Sequence, residues 1–139
     1  MTNGSLAESY VHLARVRFDL LAGLRSRGEY AVVVRMAQEC VELALKAALR
    51  QVGIDPPKWH DVGQVLLDNA GLFVLSRRAV LPGLAAASRR LRKDRELAFY
   101  GDVDFVPTQE YTDEDAGQAI TDEGACLSFA EGVRADGCP

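Results

Sequence analysis

The chain has 139 residues, 48% of them apolar, and a formal net charge of −4. That length corresponds to one domain, with enough apolar side chains to bury a core. The composition excludes a membrane-spanning segment, since no apolar run approaches the length required, and no CxxC or clustered Cys/His spacing suits a structural zinc site.

The charge is unevenly spread. Met1–Ser76 carries eight basic and eight acidic residues. Arg77–Arg95 carries seven basic residues against Asp94, a net +6, and Glu96–Pro139 carries eleven acids against Arg134, a net −10. The plainer reading is two helices that attract each other across a bundle; the sharper one is an anion or nucleic-acid surface on the basic segment. The N-terminus lacks the basic start and apolar core of a signal peptide. Cys40, Cys126 and Cys138 are an odd count, read as reduced thiols of a cytoplasmic protein.

Ser5-Leu6-Ala7-Glu8 has the pattern of a capping box, in which the serine oxygen caps the Glu8 amide and the Glu8 side chain reaches back. A helix follows to about Arg27. Leu6, Tyr10, Leu13, Arg17, Leu20, Leu21 and Leu24 mark its expected core face. Arg17 interrupts that stripe, so its guanidinium reaches the rim or pairs with a carboxylate. His12 falls on the polar side and reads as an exposed histidine. Gly28 ends the helix, and the next begins almost at once, which implies an antiparallel pair.

Tyr30–Gly53 is the central helix. At 3.6 residues per turn, Arg35, Gln38, Glu39, Glu42, Lys46 and Arg50 form one narrow polar stripe. Val33, Ala37, Val41, Ala44, Ala48 and Val52 lie opposite, flanked by Met36, Cys40, Leu43 and Leu45. So wide an apolar arc belongs to a helix surrounded by others. Gly53 supplies the left-handed stop. Glu42 and Lys46 are an i, i+4 pair, either an ordinary surface pair or, with Glu39, part of a polar cluster in a cleft.

Pro56 and Pro57 force an extended connection. Asp61 is placed to cap a short helix, with Val62, Val65 and Leu66 inward and Gly71 closing it. His60, between Trp59 and Asp61, is either a base oriented by a carboxylate or a ring that closes the loop against the bundle; the second reading is preferred. Leu72-Phe73-Val74-Leu75 reads as a buried connection, and Ser76–Leu81 as an added turn with a kink at Pro82. Pro82 opens a helix to about Phe99, with Leu84, Ala87, Leu91 and Ala98 inward and the arginines outward. After a loop containing Pro107, Thr112 caps the last helix, whose first turn holds Asp113, Glu114 and Asp115. Gly117, Gly124 and Gly132 each cost roughly 1 kcal/mol relative to alanine, so this helix depends on packing. The fold class is all-α: an up-and-down bundle of four long helices plus a short helix, one domain over 1–134 with a tail at 135–139.

Several of these segments carry a resemblance. Ala37-Gln38-Glu39-Cys40-Val41-Glu42-Leu43-Ala44-Leu45-Lys46-Ala47-Ala48-Leu49 resembles the second helix of HEPN domains, the helical domains found beside minimal nucleotidyltransferases and in toxin–antitoxin pairs. Pro57-Lys58-Trp59-His60-Asp61 resembles a turn of that family. Tyr100-Gly101-Asp102, Pro107 and Tyr111-Thr112-Asp113-Glu114-Asp115-Ala116 resemble its C-terminal connection and last helix. Together these segments span roughly Ser5 to Val133. The resemblance implies a homodimer that binds a nucleotide or a nucleotidyltransferase partner; RNA is the other ligand considered, and no cofactor or metal is expected. Glu42, Lys46, Lys58, His60, Asp61, Arg92 and Asp102 are the candidate binding residues on that basis.

Nuclease members of the family carry an arginine followed, after four to six residues, by a histidine. The arginine steadies phosphate charge, and the histidine helps move the proton of the attacking 2′-hydroxyl. The nearest equivalent here is Arg95-Glu96-Leu97-Ala98-Phe99-Tyr100, with tyrosine in the histidine's place. An unperturbed phenol titrates near pH 10, against about 6.5 for imidazole, and is a poor base at neutral pH. The preferred expectation is therefore a non-catalytic domain. The alternative is a divergent metal-independent ribonuclease that cuts RNA with Arg95 and Tyr100 in a dimer cleft, with His60 as reserve base.

Overall fold

Helix α2, Tyr30–Gln51, is the axis around which the other helices assemble. The computed structural model describes residues 3–56, 58, 61–95 and 97–136. Ala37, Ala44, Ala47 and Ala48 of α2 are fully buried, and their small side chains let neighbouring helices approach closely. Leu45 and Leu49 fill the space between, each contributing on the order of 1.5–3 kcal/mol by leaving water. Helix α1, Asn3–Ser26, packs along one side of α2, and the last helix lies along another.

Between these come α3 (Val62–Asp68), a single 3-10 turn (Ala70–Leu72), α4 (Leu75–Arg78), α5 (Leu81–Lys93) and α6 (Pro107–Glu110), followed by the last helix α7 (Asp113–Asp136). Among the described residues the only β feature is one bridge, Asp102 to Phe105. The all-α bundle of four long helices is thus present, with α3 as the short helix and two single-turn helices, α4 and α6, in addition. Gly28 and Gly53 end α1 and α2 with φ of +77° and +88°, the left-handed conformation expected of them.

Helix ends follow local chemistry. Asp61 caps α3, its carboxylate accepting from the Gly63 amide at 3.0 Å. Thr112 caps α7 reciprocally: its hydroxyl accepts from the Asp115 amide at 3.2 Å, and the Asp115 carboxylate accepts from the Thr112 amide at 2.9 Å. Along α1 and α7, three ion pairs run in antiparallel order: Glu8 with Arg134, Arg15 with Glu131, and Arg25 with Asp113. Each is partly or largely exposed and contributes at most about 1 kcal/mol. Gly117 of α7 leaves room for the Arg25 guanidinium, which lies 2.8 Å from where a β-carbon would stand.

Four expectations are corrected. The buried face of α1 is Ala7, Val11, Ala14 and Leu21 with Phe18 against it, while Leu13, Val16 and Leu20 are exposed. Small Ala7 and Ala14 let α1 seat closely, and that seating outweighs burying the larger leucines a turn-fraction away. Helix α1 begins at Asn3, before Ser5, and Glu8 bonds Arg134 at 2.8 Å across the bundle. Within Leu72–Leu75 only Phe73 is buried, its ring 5.4 Å from that of Phe129. Helix α5 ends at Lys93 rather than near Phe99, because two tertiary bonds hold the chain that follows: Tyr111 donates to the Asp94 carboxylate at 3.0 Å, and Arg35 to the Arg95 carbonyl at 2.6 Å.

Candidate anion-binding cleft

The polar stripe of α2 does not face open solvent. It floors a cleft of about 410 Å³, walled by Arg17 of α1 on one side and by Arg92 and Arg95, at and just after the end of α5, on the other. From α2 itself come Arg35, Gln38, Glu39, Glu42 and Lys46, with Lys58 from the connection that follows. Each is there for a local reason. Residues 35, 38, 39, 42 and 46 recur at three- and four-residue intervals and so share one helix face. Arg17 sits on the side of α1 left over once Ala14, Phe18 and Leu21 turn inward.

Six cationic side chains therefore meet two carboxylates. Glu39 accepts from Arg35 Nε at 3.1 Å, and Glu42 lies 3.8 Å from Lys46 Nζ. Among the described residues no carboxylate lies within ion-pair distance of Arg17, Lys58, Arg92 or Arg95. Such a concave, partly desolvated concentration of one sign focuses field on an anion, and guanidinium forks match phosphate oxygens.

Arg35 organises the far wall. Besides Glu39, its guanidinium donates to the Arg95 backbone carbonyl and lies 5.1 Å from the centroid of the Phe99 ring. These contacts fix the backbone from which Arg95 projects. Gly101, with φ +70°, closes the turn beyond; a β-carbon there would meet the Phe105 carbonyl oxygen and Pro107 Cδ at 2.5 Å.

The structure thus brings together Arg95, Arg92, Glu42, Lys46 and Lys58. Tyr100 does not line the cleft; it is 78% exposed, with its ring edge-on to Phe99 at 4.6 Å. Asp102 lines a neighbouring recess, where its carboxylate accepts from the Val103 amide at 2.6 Å. Asp61 is engaged in capping α3 and lies 3.5 Å from Arg89. His60 lies outside the described residues. Sequence reasoning did not count Arg17, Arg35 or Gln38 as site residues. Their signals were present, as the break in the α1 stripe and as the α2 polar face.

The basic segment is divided between two surroundings. Arg90 and Arg77 pair with Asp122 and Asp136 of α7, whereas Arg92 and Arg95 line the cleft. The α7 side of α5 carries a different recess, in which Asp94, Glu110, Asp115 and Asp122 outnumber Arg90. Burial, with Asp115 nearby, raises the Asp94 carboxyl above its usual range despite the Tyr111 hydrogen bond. Among the described residues no grouping of His, Cys, Asp and Glu suits a metal ion, and no helix is long and apolar enough to cross a membrane.

No curated protein and no solved structure matches the chain. The HEPN domain family model matches residues 7–133, which takes in α1, α2, the connection that supplies Lys58, the basic α5 and most of α7. By that match over nearly its whole length, the chain belongs to the HEPN domain family.

Proposed function

We propose that this HEPN domain is a non-catalytic binding module that homodimerises and holds the phosphate of a nucleotide in the α2 cleft. The carrying observation is the cleft itself, where six cations face two carboxylates and four of the cations have no acidic partner among the described residues. A minimal nucleotidyltransferase is the protein partner this reading favours, in a pair of the toxin–antitoxin type, because its substrates are the ligands such a cleft would hold.

Homodimerisation draws support from α1. Leu13, Val16 and Leu20 are exposed on one face of the helix, beside Arg17 of the cleft. Apolar side chains gathered on one helix face are suited to burial against a second surface. The competing ribonuclease reading needs Arg95 and Tyr100 to act together. Arg95 lines the cleft, while the Tyr100 ring is not among its walls.

Titration with a labelled adenine nucleotide tests the proposal. Binding should weaken as salt is raised and fall about tenfold or more in Arg92→Ala and Lys46→Ala. Equal affinity of wild type and both variants would sink it.

A further inference from the structure

One group in the cleft is neutral and nearly sealed. Gln38, on the α2 stripe, is only 4% exposed, whereas every other residue that lines the cleft is partly or largely exposed. Lys58 and Arg95 stand at the exposed extreme. Charge therefore surrounds the mouth, and a carboxamide lies at the floor. Among the described residues nothing bonds to that carboxamide, although it offers two N–H donors and an acceptor oxygen. A buried amide left without partners costs stability, so packing of the fold gives no reason for it. Leu43 adds an apolar wall to the same cleft.

We propose that Gln38 reads the edge of a nucleobase, and that the cleft takes a nucleoside monophosphate with its base inward. This rests on the phosphate-binding reading of the cleft and fixes the ligand's orientation in it. A phosphate offers the amide acceptors alone and would leave the amide oxygen unsatisfied. A base edge offers a donor and an acceptor side by side. Glutamine meets the adenine N6 amino group and N7 in this way, its oxygen accepting from the first and its NH2 donating to the second. An uncharged ring also enters the buried floor at less cost than a phosphate, whose charge is better met by the guanidinium groups around the mouth.

Isothermal titration tests it with three probes: adenosine monophosphate, purine riboside monophosphate, which lacks the N6 amino group, and ribose 5-phosphate, which lacks the base. Wild type should bind adenosine monophosphate more tightly than purine riboside monophosphate, and roughly tenfold or more tightly than ribose 5-phosphate. Gln38→Leu should lower adenosine monophosphate affinity to that of purine riboside monophosphate and still bind ribose 5-phosphate. It should also unfold no more easily than wild type, since it removes an amide without partners. Equal wild-type affinity for adenosine monophosphate and ribose 5-phosphate overturns the base-inward orientation and leaves the cleft reading intact. Purine riboside monophosphate bound by wild type as tightly as adenosine monophosphate overturns the hydrogen-bonding role of Gln38, as does a Gln38→Leu variant that keeps the wild-type preference. Loss of ribose 5-phosphate binding in that variant overturns it too, because the side chain then shapes the cleft or holds the phosphate. Failure of all three probes to bind wild type removes the cleft reading and this inference with it.

Discussion

Arg35 holds Arg95 by its backbone: Nη1 donates to the Arg95 carbonyl at 2.6 Å, across sixty residues of sequence. The same guanidinium pairs with Glu39 and covers the Phe99 ring, so one side chain ties α2 to the chain that leaves α5. A planar fork can serve all three contacts at once, which an ammonium cannot. Arg35→Lys keeps the charge and loses the geometry. Nucleotide affinity should fall about tenfold, with a loss of stability of about 1 kcal/mol or less because the group is partly solvated. Isothermal titration beside thermal unfolding separates the two effects. Unchanged affinity would mean that Arg35 contributes charge alone.

The exposed face of α1 supplies a second prediction. Leu13 and Leu20 are both exposed within one chain, Leu20 by 55%. Leu13→Asp with Leu20→Asp should shift the mass found by light scattering from dimer to monomer. Secondary structure should persist, because exposed substitutions away from the core usually change stability by only about 0.5 kcal/mol each. A monomer mass for wild type at micromolar concentrations would refute the dimer.

A third prediction concerns catalysis. Purified protein incubated with single-stranded RNA and no added metal should leave it intact, because a nuclease of this type needs a proton acceptor near neutral pH beside a phosphate-binding cation. Arg95 meets the second need from the cleft wall. Cleavage that disappears in both Arg95→Ala and Tyr100→Phe would restore the ribonuclease reading. Loss confined to His60→Ala would move the site to the turn after α2.

The amphipathic pattern of α2 is legible residue by residue. Val33, Ala37, Val41, Ala44 and Ala48 are buried as their spacing demands, and the stripe from Arg35 to Lys46 is polar as read. The pattern cannot say that this stripe is walled by α1 and the end of α5, because that depends on how α1 is rotated. The rotation escapes a reading by hydrophobicity, since a leucine outweighs an alanine there, while close packing at Ala7 and Ala14 decides the contact. The end of α5 is illegible for a related reason: Lys93 to Phe99 has no helix breaker, and the stop comes from Tyr111 and Arg35, far off in sequence. The Thr112 cap and the Gly53 stop are legible because their causes lie within a few residues.

The last prediction follows from Glu123, on the buried face of α7. It is fully buried, and neither carboxylate oxygen has a hydrogen-bond partner among the described residues. Burial raises its pKa to about 8; Glu131 on the same helix and Asp19 of α1 add to the rise, and Arg15 of α1 opposes it. Cys40 of α2 and Cys126 of α7 face the same region, and burial together with the Glu123 charge pushes each thiol up to about 12, so neither titrates in the relevant range. In the unfolded chain the carboxyl titrates near its ordinary 4.5. Below that value it is protonated in both states and the fold is unpenalised. Between 4.5 and about 8 the unfolded chain releases the proton and the folded one keeps it, so stability declines as pH rises, and above about 8 the loss is complete. Glu123→Gln keeps the shape and removes the ionisation. Its stability should match wild type near pH 4.5 and exceed it at pH 9 by up to about 5 kcal/mol, given about 1.4 kcal/mol for each tenfold change in proton affinity. Urea unfolding of both proteins across this range measures the difference directly, since their other titrating groups are shared. Parallel stability profiles would show that Glu123 is ionised in the fold and reaches a partner or solvent.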